Sequence, residues 1–410
     1  MELRSFSVRR YKSYVEETTV EIAPLTIFVG ANNSGKSALA RVVHLFASSV
    51  AISEDDTREP LVMNSDGVEH GRTFEDLVHG RSAHGRLSLS AVLAHGNVES
   101  SLSVTLQNVL RPSDPSERQI LNWRFNRGKD QIEAERKSVD PQSPYRVSVF
   151  EGENGEYLIN WRGLFPRKPH RLPEWIDAQA TEIRRWANGV RYLMCPRSLP
   201  PLPLKLDESI SSVDEASGTA APMILAADDD LKDCVREWYR RAFEVSLDLK
   251  PEGKYSDLIV RTNQGPDVLL DQSGGGLSQV LPVVVTVLTA KQQRPGVDII
   301  EHPEAELHPS AHAHIAELLL GNLSGPTRPL IIETHSEMIL LRARRWIAEG
   351  RLSPDDILVY WIHPEPERGA VLQKITINER GAMSSWPAGV FIEDYEEVLA
   401  IRRAVRPGEE

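Results

Sequence analysis

Cysteine is scarce in this chain, and long apolar runs are missing from it. Only Cys195 and Cys234 occur among 410 residues, which is too few for a disulfide framework, and they do not form a CxxC pair. No segment approaches the roughly 18 uninterrupted apolar residues of a membrane span, and the N-terminus lacks the apolar core of a signal peptide. These absences exclude a disulfide-stabilised secreted domain and predict an intracellular, cytoplasmic protein without a membrane span.

An excess of basic residues is missing as well. The chain has 47 Lys and Arg against 59 Asp and Glu, a formal net charge of -12. A nucleic-acid partner would therefore need a local basic patch rather than a generally basic surface. Hydrophobic residues make up 40% of the chain, enough for a substantial core in two or three domains or in one large domain with an insertion.

The pattern of elements divides the chain into three parts. Residues 1–170 begin with a strand, loop and helix and continue into alternating strands that predict a β-rich lobe. Residues 171–245 are predicted to be a helical insertion with a proline-rich loop at about Pro196 to Pro222. Residues 246–410 alternate strands and helices, which indicates a parallel sheet covered on both faces, and end in a predicted β-hairpin.

The stretch GANNSGKS, Gly30 to Ser37, fits the phosphate-binding pattern G-x-x-x-x-G-K-[ST] and lies between a predicted strand and a predicted helix. Backbone N–H groups of such a loop surround phosphates, Lys36 reaches the terminal phosphates and Ser37 ligates Mg²⁺. The predicted ligand is a magnesium-bound nucleotide, held by Gly30, Asn32, Asn33, Ser34, Gly35, Lys36 and Ser37.

A carboxylate is needed beside that magnesium ion, and the strand VDIIE supplies Glu301 at its end. We therefore predict Ser37 and Glu301 as the metal-ligating residues. The same segment also allows a zinc site, because histidines and glutamates are concentrated here. The residues concerned are Glu301, His302, Glu304, Glu306, His308, His312 and His314. The competing interpretation is a set of polar side chains that face solvent after a buried strand.

Four segments together resemble a known family: FVGANNSGKS, SGGGLSQ, IIEHPEAELHP and IIETHS. The set is similar to the ABC-type, AAA-family P-loop ATPases of the RecF, SMC and OLD group, and most similar to stand-alone OLD-like bacterial ATPases with a C-terminal WPxGxF element, here WPAGVF. The resemblance covers roughly residues 1–50 and 270–395. It implies an α/β fold, a P-loop NTPase of the ABC-type ATPase head class with a β-rich lobe and an inserted helical region.

The resemblance also implies how the site works. ATP and Mg²⁺ are the expected cofactors, and two heads are expected to form a homodimer in which Ser273, Gly274, Gly275 and Gly276 of one copy contact the nucleotide of the other. His335 matches the switch histidine that senses the terminal phosphate. Many relatives carry a second glutamate where this chain has His302. Either His302 or Glu304 is then expected to assist the attacking water, or hydrolysis is slow.

Three functions remain open from the sequence. The first is an ATPase, with Glu301, His302, Glu304 and His335 as catalytic residues, that acts as a switch in bacterial antiphage defence together with a separate effector such as a nuclease. The second is a nucleotide-gated scaffold that scarcely hydrolyses ATP. The third is a RecF-like DNA-repair clamp, which needs a basic face. Its candidate residues are Arg184, Arg185, Arg236, Arg240 and Arg241.

Overall fold

The computed structural model describes residues 1–52, 59–109, 117–138, 140, 143–149, 152–168, 171–198, 204–205, 216–252, 255–262, 265–290, 295–325 and 328–386. The helices in this part of the chain are α1 Lys36–Ala51, α2 Trp175–Ala187, α3 Ala221–Ala227, α4 Asp229–Phe243, α5 Gly275–Thr289, α6 Pro309–Gly321 and α7 Glu337–Ala348. None of these helices is long and apolar enough to cross a membrane.

The strands of the described residues run from the N-terminus to residue 375. They are β1 Glu2–Arg9, β2 Thr18–Glu21, β3 Leu25–Val29, β4 Asn64–Ser65, β5 Val68–Glu69, β6 Arg86–His95, β7 Val98–Val109, β8 Glu117–Arg127, β9 Asp130–Arg136, β10 Tyr145–Val149, β11 Gly155–Tyr157, β12 Trp161–Arg162, β13 Phe165–Pro166, β14 Arg191–Leu193, β15 Leu204–Lys205, β16 Val245–Glu252, β17 Tyr255–Thr262, β18 Val268–Leu269, β19 Asp298–Glu301, β20 Leu330–Glu333, β21 Ile357–Glu365 and β22 Gly369–Ile375.

A six-stranded sheet forms the centre of the molecule, in the order β14-β19-β20-β3-β21-β22. Its first five strands are parallel, which confirms the sheet predicted from the alternation of strands and helices. β22 runs antiparallel to β21, so the predicted closing hairpin is confirmed too. The phosphate-binding loop leaves this sheet at the end of its fourth strand, β3.

Both faces of the central sheet are buried, because successive side chains along a strand point to opposite faces. Ile299 and Ile331 belong to one core, which also contains side chains of α1 and α2. Ile300 and Ile332 belong to a second core with side chains of α3 to α7. Residues of odd number at the ends of β19 and β20 therefore face α1, which decides the contacts of Glu301 and Glu333.

An eight-stranded sheet, in the order β11-β10-β9-β8-β7-β6-β1-β2, confirms the predicted β-rich lobe. All its neighbouring strands are antiparallel. Its core contains an aromatic cluster: the rings of Phe125 and Phe165 meet edge to face at 5.4 Å, and the indole of Trp123 donates a hydrogen bond of 2.9 Å to the Leu164 carbonyl. The N-terminal strands join both large sheets, since β1 and β2 lie in the lobe and β3 lies in the central sheet.

The middle of the chain contributes to the central sheet as well as to its surroundings. β14, within the predicted insertion at 171–245, is the edge strand beside β19. A guanidinium–carboxylate pair locks this edge, because Arg191 binds Asp298 through Nε at 2.6 Å and Nη2 at 2.7 Å. Residues 199–203 and 206–215 of the predicted proline-rich loop lie outside the described residues.

Candidate nucleotide-binding site

Two glycines allow the loop between β3 and α1 to follow its path. Gly30 has φ +156°, and a Cβ there would lie 2.2 Å from the carbonyl oxygen of Ile362. Gly35 has φ +105°, and a Cβ there would lie 2.6 Å from the Oγ of Ser13. Because an L side chain is strained in this backbone region and meets other atoms at once, both positions need glycine.

The N-terminus of α1 has the features of an anion-binding site. Gly35 caps it without a side-chain hydrogen bond, and the first turn contains no acidic residue, so the first N–H groups have no protein carboxylate or hydroxyl cap. Asn32 and Asn33 are exposed beside it. The Oγ of Ser34 is buried and has no hydrogen-bond partner. A phosphate would supply the missing acceptor and negative charge.

Lys36 lies folded back onto its own loop. Its Nζ donates hydrogen bonds to the carbonyl oxygens of Gly30 at 3.0 Å and Ala31 at 2.8 Å, and lies 3.7 Å from Oε1 of Glu333. Burial lowers the pKa of Lys36, and the nearby carboxylate of Glu333 opposes that shift. The ammonium group is therefore held against the loop by partners that a phosphate can replace.

Glu333, which the sequence analysis did not select, lies directly beside the loop. Ser37 Oγ donates a hydrogen bond of 3.0 Å to Glu333 Oε1, while Oε2 is buried without a partner. Burial raises the pKa of this carboxyl group. A hydroxyl and a carboxylate with an unused oxygen fit Mg²⁺, which prefers hard oxygen ligands and completes its shell with waters and phosphates.

Glu301 has a different environment. Arg41 donates to Glu301 Oε1 from Nη2 at 2.9 Å and from Nε at 3.1 Å, and the hydroxyl of Tyr192 donates to the same oxygen. The backbone N–H of Cys195 donates to Oε2 at 3.1 Å. The side chain is almost fully buried, at 3% exposure. Both carboxylate oxygens thus have protein donors, and its predicted role as a metal ligand stays a prediction.

The three remaining predicted catalytic residues meet at one point. The rings of His302 and His335 stack with centroids 5.0 Å apart. His302 Nε2 lies 3.5 Å from Oε1 of Glu333, and Nδ1 lies 3.9 Å from Oε1 of Glu304. The backbone N–H of His335 donates a hydrogen bond of 2.7 Å to the same Glu304 oxygen. The structure therefore brings His302, Glu304 and His335 together with Glu333.

The charges of this group follow from its contacts. Burial alone would lower the pKa of His302, but the carboxylates of Glu304 and Glu333 outweigh it and raise the pKa. Burial opposes ionisation of Glu304, yet hydrogen bonds from His302 and from the backbone of His335 keep its pKa below the usual range. Burial, with the charges of Lys36 and His302, lowers the pKa of His335 to about 4. Glu304 is thus held as a carboxylate, and its Oε2 is buried without a partner.

The predicted signature segment forms the start of α5. Gly274 caps the helix, and the Oγ of Ser273 donates a hydrogen bond of 2.6 Å to the Leu270 carbonyl. A Cβ on Gly274 or Gly275 would meet nothing within 4 Å, whereas a Cβ on Gly276 would lie 2.6 Å from the Glu306 carbonyl oxygen. Two of the glycines therefore face open space, and the third packs against the loop that follows β19.

Arg197 connects this helix to the loop after β19. Its guanidinium donates to the carbonyl oxygens of Glu301 and His302, and its backbone exchanges hydrogen bonds with the side chain of Gln279 on α5. Arg197 is buried, at 3% exposure. Its partners Gln279 and His302 lie 82 and 105 residues away along the chain, so no local sequence pattern indicates these contacts.

The residues weighed for a zinc site do not form one in the structure. Within the described parts of the chain, no group of three or more His, Cys, Asp or Glu side chains is arranged to hold a metal ion. His308 instead caps α6 by accepting a hydrogen bond from the Ser310 N–H at 3.2 Å, and His312 Nδ1 lies 3.0 Å from the Ser336 hydroxyl. These histidines have structural roles.

Acidic neighbours pair with Arg185, Arg236, Arg240 and Arg241, which were considered for DNA binding. Each of these ion pairs lies on or beside the helix that carries the arginine: Arg185 with Glu182, Arg236 with Asp233 and Asp248, and Arg240 and Arg241 with Glu237. The guanidinium of Arg184 lies 5.6 Å from the ring of Phe165. This pairing reduces the positive field that a DNA backbone would meet.

Of the predicted C-terminal element WPAGVF, only Trp386 lies within the described residues. The guanidinium carbon of Arg344, on α7, is 5.5 Å from the centre of its ring. Residues 387–391 fall outside the described part of the chain.

Comparisons with known proteins concern the phosphate-binding loop and the overall fold. The family model described as the AAA ATPase domain matches residues 1–78, which contain the phosphate-binding loop. A search of curated protein sequences finds no significant match. Among solved structures, an SMC head bound to the C-winged helix domain of ScpA aligns with a TM-score of 0.53 and 12% identity, over 92% of this chain and 98% of that one.

Two further SMC heads give lower scores. The head with an extended coiled coil bound to the C-terminal domain of ScpA, derived from Pyrococcus furiosus, has a TM-score of 0.49 at 11% identity over 98% of this chain and 99% of that one. The head from Thermotoga maritima has a TM-score of 0.41 at 12% identity over 91% and 98%. The chain has the mixed α/β fold of an SMC-type ABC ATPase head, as the sequence predicted.

Proposed function

We propose that this chain binds ATP with Mg²⁺ and hydrolyses it, as an OLD-like ABC-type ATPase head. The observation that carries the proposal is the arrangement of Lys36 and Ser37 at an uncapped helix N-terminus, beside the buried carboxylate of Glu333. Lysine and helix N–H groups suit phosphates, and the hydroxyl and carboxylate suit the accompanying magnesium ion. The match of residues 1–78 to the AAA ATPase domain supports the same assignment.

For hydrolysis, Glu304 is the better candidate for the group that accepts a proton from the attacking water. It is ionised, and one of its oxygens is buried without a partner. His302 is less suited, because its raised pKa favours the protonated ring, which has no lone pair to accept a proton. The neutral ring of His335 can donate a hydrogen bond to the terminal phosphate, which fits the predicted role as a sensor.

We further propose that two copies close around the nucleotide, each offering the start of α5 to the site of the other. The open space around Gly274 and Gly275 supports this arrangement, because phosphate oxygens could approach the helix N-terminus there. ATP binding would favour the closed pair and hydrolysis would release it, which is a two-state switch. The similar SMC head with the TM-score of 0.53 is bound to the C-winged helix domain of ScpA, and a separate effector protein, such as a nuclease, is the corresponding proposal here.

The proposed setting is bacterial antiphage defence, and it is supported by the resemblance of the four motifs to OLD-like ATPases. Phage plating on cells that produce the chain with its neighbouring genes, compared with the same cells carrying Lys36→Ala, tests this setting. Equal plating efficiency for the two would contradict it.

The first test of the enzyme is steady-state ATP hydrolysis with Mg²⁺, with and without duplex DNA. We expect Lys36→Ala to abolish turnover, because the terminal phosphates lose their cation, and Glu304→Gln to lower the rate about 10²- to 10⁴-fold. His302→Ala is expected to have a smaller effect. Lys232→Ala, which removes a lysine paired locally with Asp229, is the matched control and should leave turnover unchanged.

A nucleotide-gated scaffold is the second candidate, and the position of His302 favours it. The ring stands where many relatives have a catalytic glutamate, and its contacts promote the protonated form. Tight ATP binding with no turnover in the wild-type chain would establish the scaffold and overturn the hydrolytic cycle. Stimulation of ATP turnover by duplex DNA that weakens as salt is added would instead support the RecF-like DNA-repair clamp.

A further inference from the structure

Two glutamates end neighbouring strands of the central sheet at the same level. Glu301 of β19 pairs in register with Glu333 of β20, which pairs in register with Phe28 of β3. In-register residues of parallel strands point to the same face, so both carboxylates lie on the side of α1. Because neighbouring strands are about 4.8 Å apart, Glu333 is one spacing from the strand of the phosphate-binding loop and Glu301 is two.

Helix α1 meets the two carboxylates with two of its own residues. Ser37 and Arg41 are four residues apart and therefore lie on one face of the helix, about 5–6 Å from each other. That separation matches one strand spacing, so Ser37 binds Glu333 and Arg41 binds Glu301. The geometry of the helix and the sheet therefore fixes which helix residue binds which carboxylate.

The two carboxylates differ in how many protein donors they have. Glu301 uses both oxygens, with Arg41 and Tyr192 on Oε1 and the Cys195 N–H on Oε2. Moving it into a magnesium shell would leave the partly exposed guanidinium of Arg41 and the buried hydroxyl of Tyr192 without their acceptor, which is costly. Glu333 has a free buried oxygen, Oε2, and already touches the hydroxyl of Ser37.

We propose that Glu333, rather than Glu301, is the carboxylate that reaches the nucleotide-bound magnesium ion together with Ser37. Glu301 is then a positioning residue: through Arg41, Tyr192 and the Cys195 backbone it fixes the end of β19, from which His302 and Glu304 project. This assignment rests on the proposed function, because it requires that the loop bind a magnesium nucleotide.

The test is the effect of Mg²⁺ on the affinity for a fluorescent ATP analogue, measured by titration with Mg²⁺ and with EDTA. For Glu333→Gln we expect the tightening by Mg²⁺ to fall at least about tenfold, as for loss of a metal-shell partner. In EDTA the same variant should bind the analogue at least as tightly as wild type, because a negative charge beside the phosphates has been removed. A structural role alone would not move the two affinities in opposite directions.

Three further variants complete the test. Glu301→Gln keeps one acceptor oxygen, which can serve Arg41 or the Cys195 N–H but not both, and should retain most of the Mg²⁺ effect. Glu333→Asp keeps a carboxylate and should recover part of what Glu333→Gln loses. Tyr192→Phe loosens Glu301 without touching Glu333 and should leave the Mg²⁺ effect unchanged. If Glu333→Gln or Glu301→Gln does not fold, Tyr192→Phe still tests which glutamate reaches the magnesium ion.

The outcomes separate this assignment from the function on which it rests. A loss of the Mg²⁺ effect in Glu301→Gln that equals or exceeds the loss in Glu333→Gln would overturn the assignment. A stronger Mg²⁺ effect in Tyr192→Phe would overturn it too, because the released Glu301 would then be the ligand. If the wild-type chain binds no nucleotide with or without Mg²⁺, the proposed function itself fails and the assignment falls with it.

Discussion

At the scale of single residues, a buried histidine beside α1 links stability to pH. His70 is 1% exposed, and its Nε2 lies 3.1 Å from Nδ1 of His44. Burial, followed by the positive charge of His44, lowers the pKa of His70 to about 3. At pH values between the folded pKa and the unfolded pKa of about 6.5, His70 is therefore protonated in the unfolded chain and neutral in the folded chain.

We expect this histidine to cost the folded state about 2 kcal/mol at pH 5 relative to pH 7, because folding then requires the ring to lose its proton. The sign is a loss of stability as pH falls below about 6.5. His70→Gln keeps a polar partner for His44 but does not titrate, so its stability should fall less between pH 7 and pH 5. Urea unfolding at the two pH values measures the difference; equal losses in both proteins would contradict the assignment.

The residues that could be predicted from the sequence are those whose role depends on local order. Lys36 and Ser37 follow from a strand, a glycine-rich loop and a helix that are consecutive in the chain. The choice between Glu301 and Glu333 depends on the order of strands in the sheet, which no local pattern encodes. Both end an apolar strand, so the sequence signal was the same. Only the placement of β20 between β19 and β3 separates them.

At the scale of elements, the close contact between the start of α5 and the loop after β19 is sensitive to one methyl group. Gly276→Ala places a Cβ 2.6 Å from the Glu306 carbonyl oxygen, and we expect it to lower the free energy of unfolding by about 1–3 kcal/mol. Gly275→Ala is the matched control in the same turn. It meets no atom within 4 Å and should be neutral or stabilise by up to about 1 kcal/mol.

Denaturant unfolding of the two alanine variants checks this prediction. Equal free energies of unfolding for the two variants would contradict the close contact between α5 and the loop after β19. Because Arg197 and Gln279 join the same two elements, a shift at Gly276 should also reach His302. We therefore expect the stability loss to be accompanied by slower ATP turnover.

The existence and order of these elements were predictable, since the alternation of apolar strands and helices in residues 271–362 is a local signal. Their pairing was not. The short strand β14 pairs with β19, and a guanidinium–carboxylate pair joins Arg191 and Asp298 of these two strands, which are more than a hundred residues apart. Long-range polar pairs of this kind leave no periodicity in the sequence.

At the scale of the whole molecule, the proposed closed pair makes a prediction that a single chain does not. Gly275→Gln adds a large polar side chain in open space, so the monomer should fold normally, but the partner's phosphates would be obstructed. We expect this variant to stay monomeric with Mg²⁺ and a non-hydrolysable ATP analogue, under conditions in which the wild-type chain dimerises. Light scattering after size-exclusion chromatography measures the mass.

Gly325→Gln is the control for this experiment. Gly325 is also exposed, and a Cβ there would meet nothing within 4 Å, but it lies outside the segment assigned to the partner contact. Its dimerisation should match that of wild type. Dimerisation of Gly275→Gln to the same extent would remove the start of α5 from the proposed interface.

The contacts of Gly30 and Gly35 have a consequence for how the protein is made. The phosphate-binding loop is enclosed by Ser13 near the N-terminus and by Ile362 and Ala370 in the hairpin of β21 and β22. During synthesis on the ribosome, the loop thus leaves the exit tunnel more than three hundred residues before Ile362 and Ala370, which enclose it. A nascent chain shorter than about 370 residues cannot build this site, however well its first strands have formed. Capture of nucleotide by ribosome-bound chains would begin only after Ala370 has left the exit tunnel.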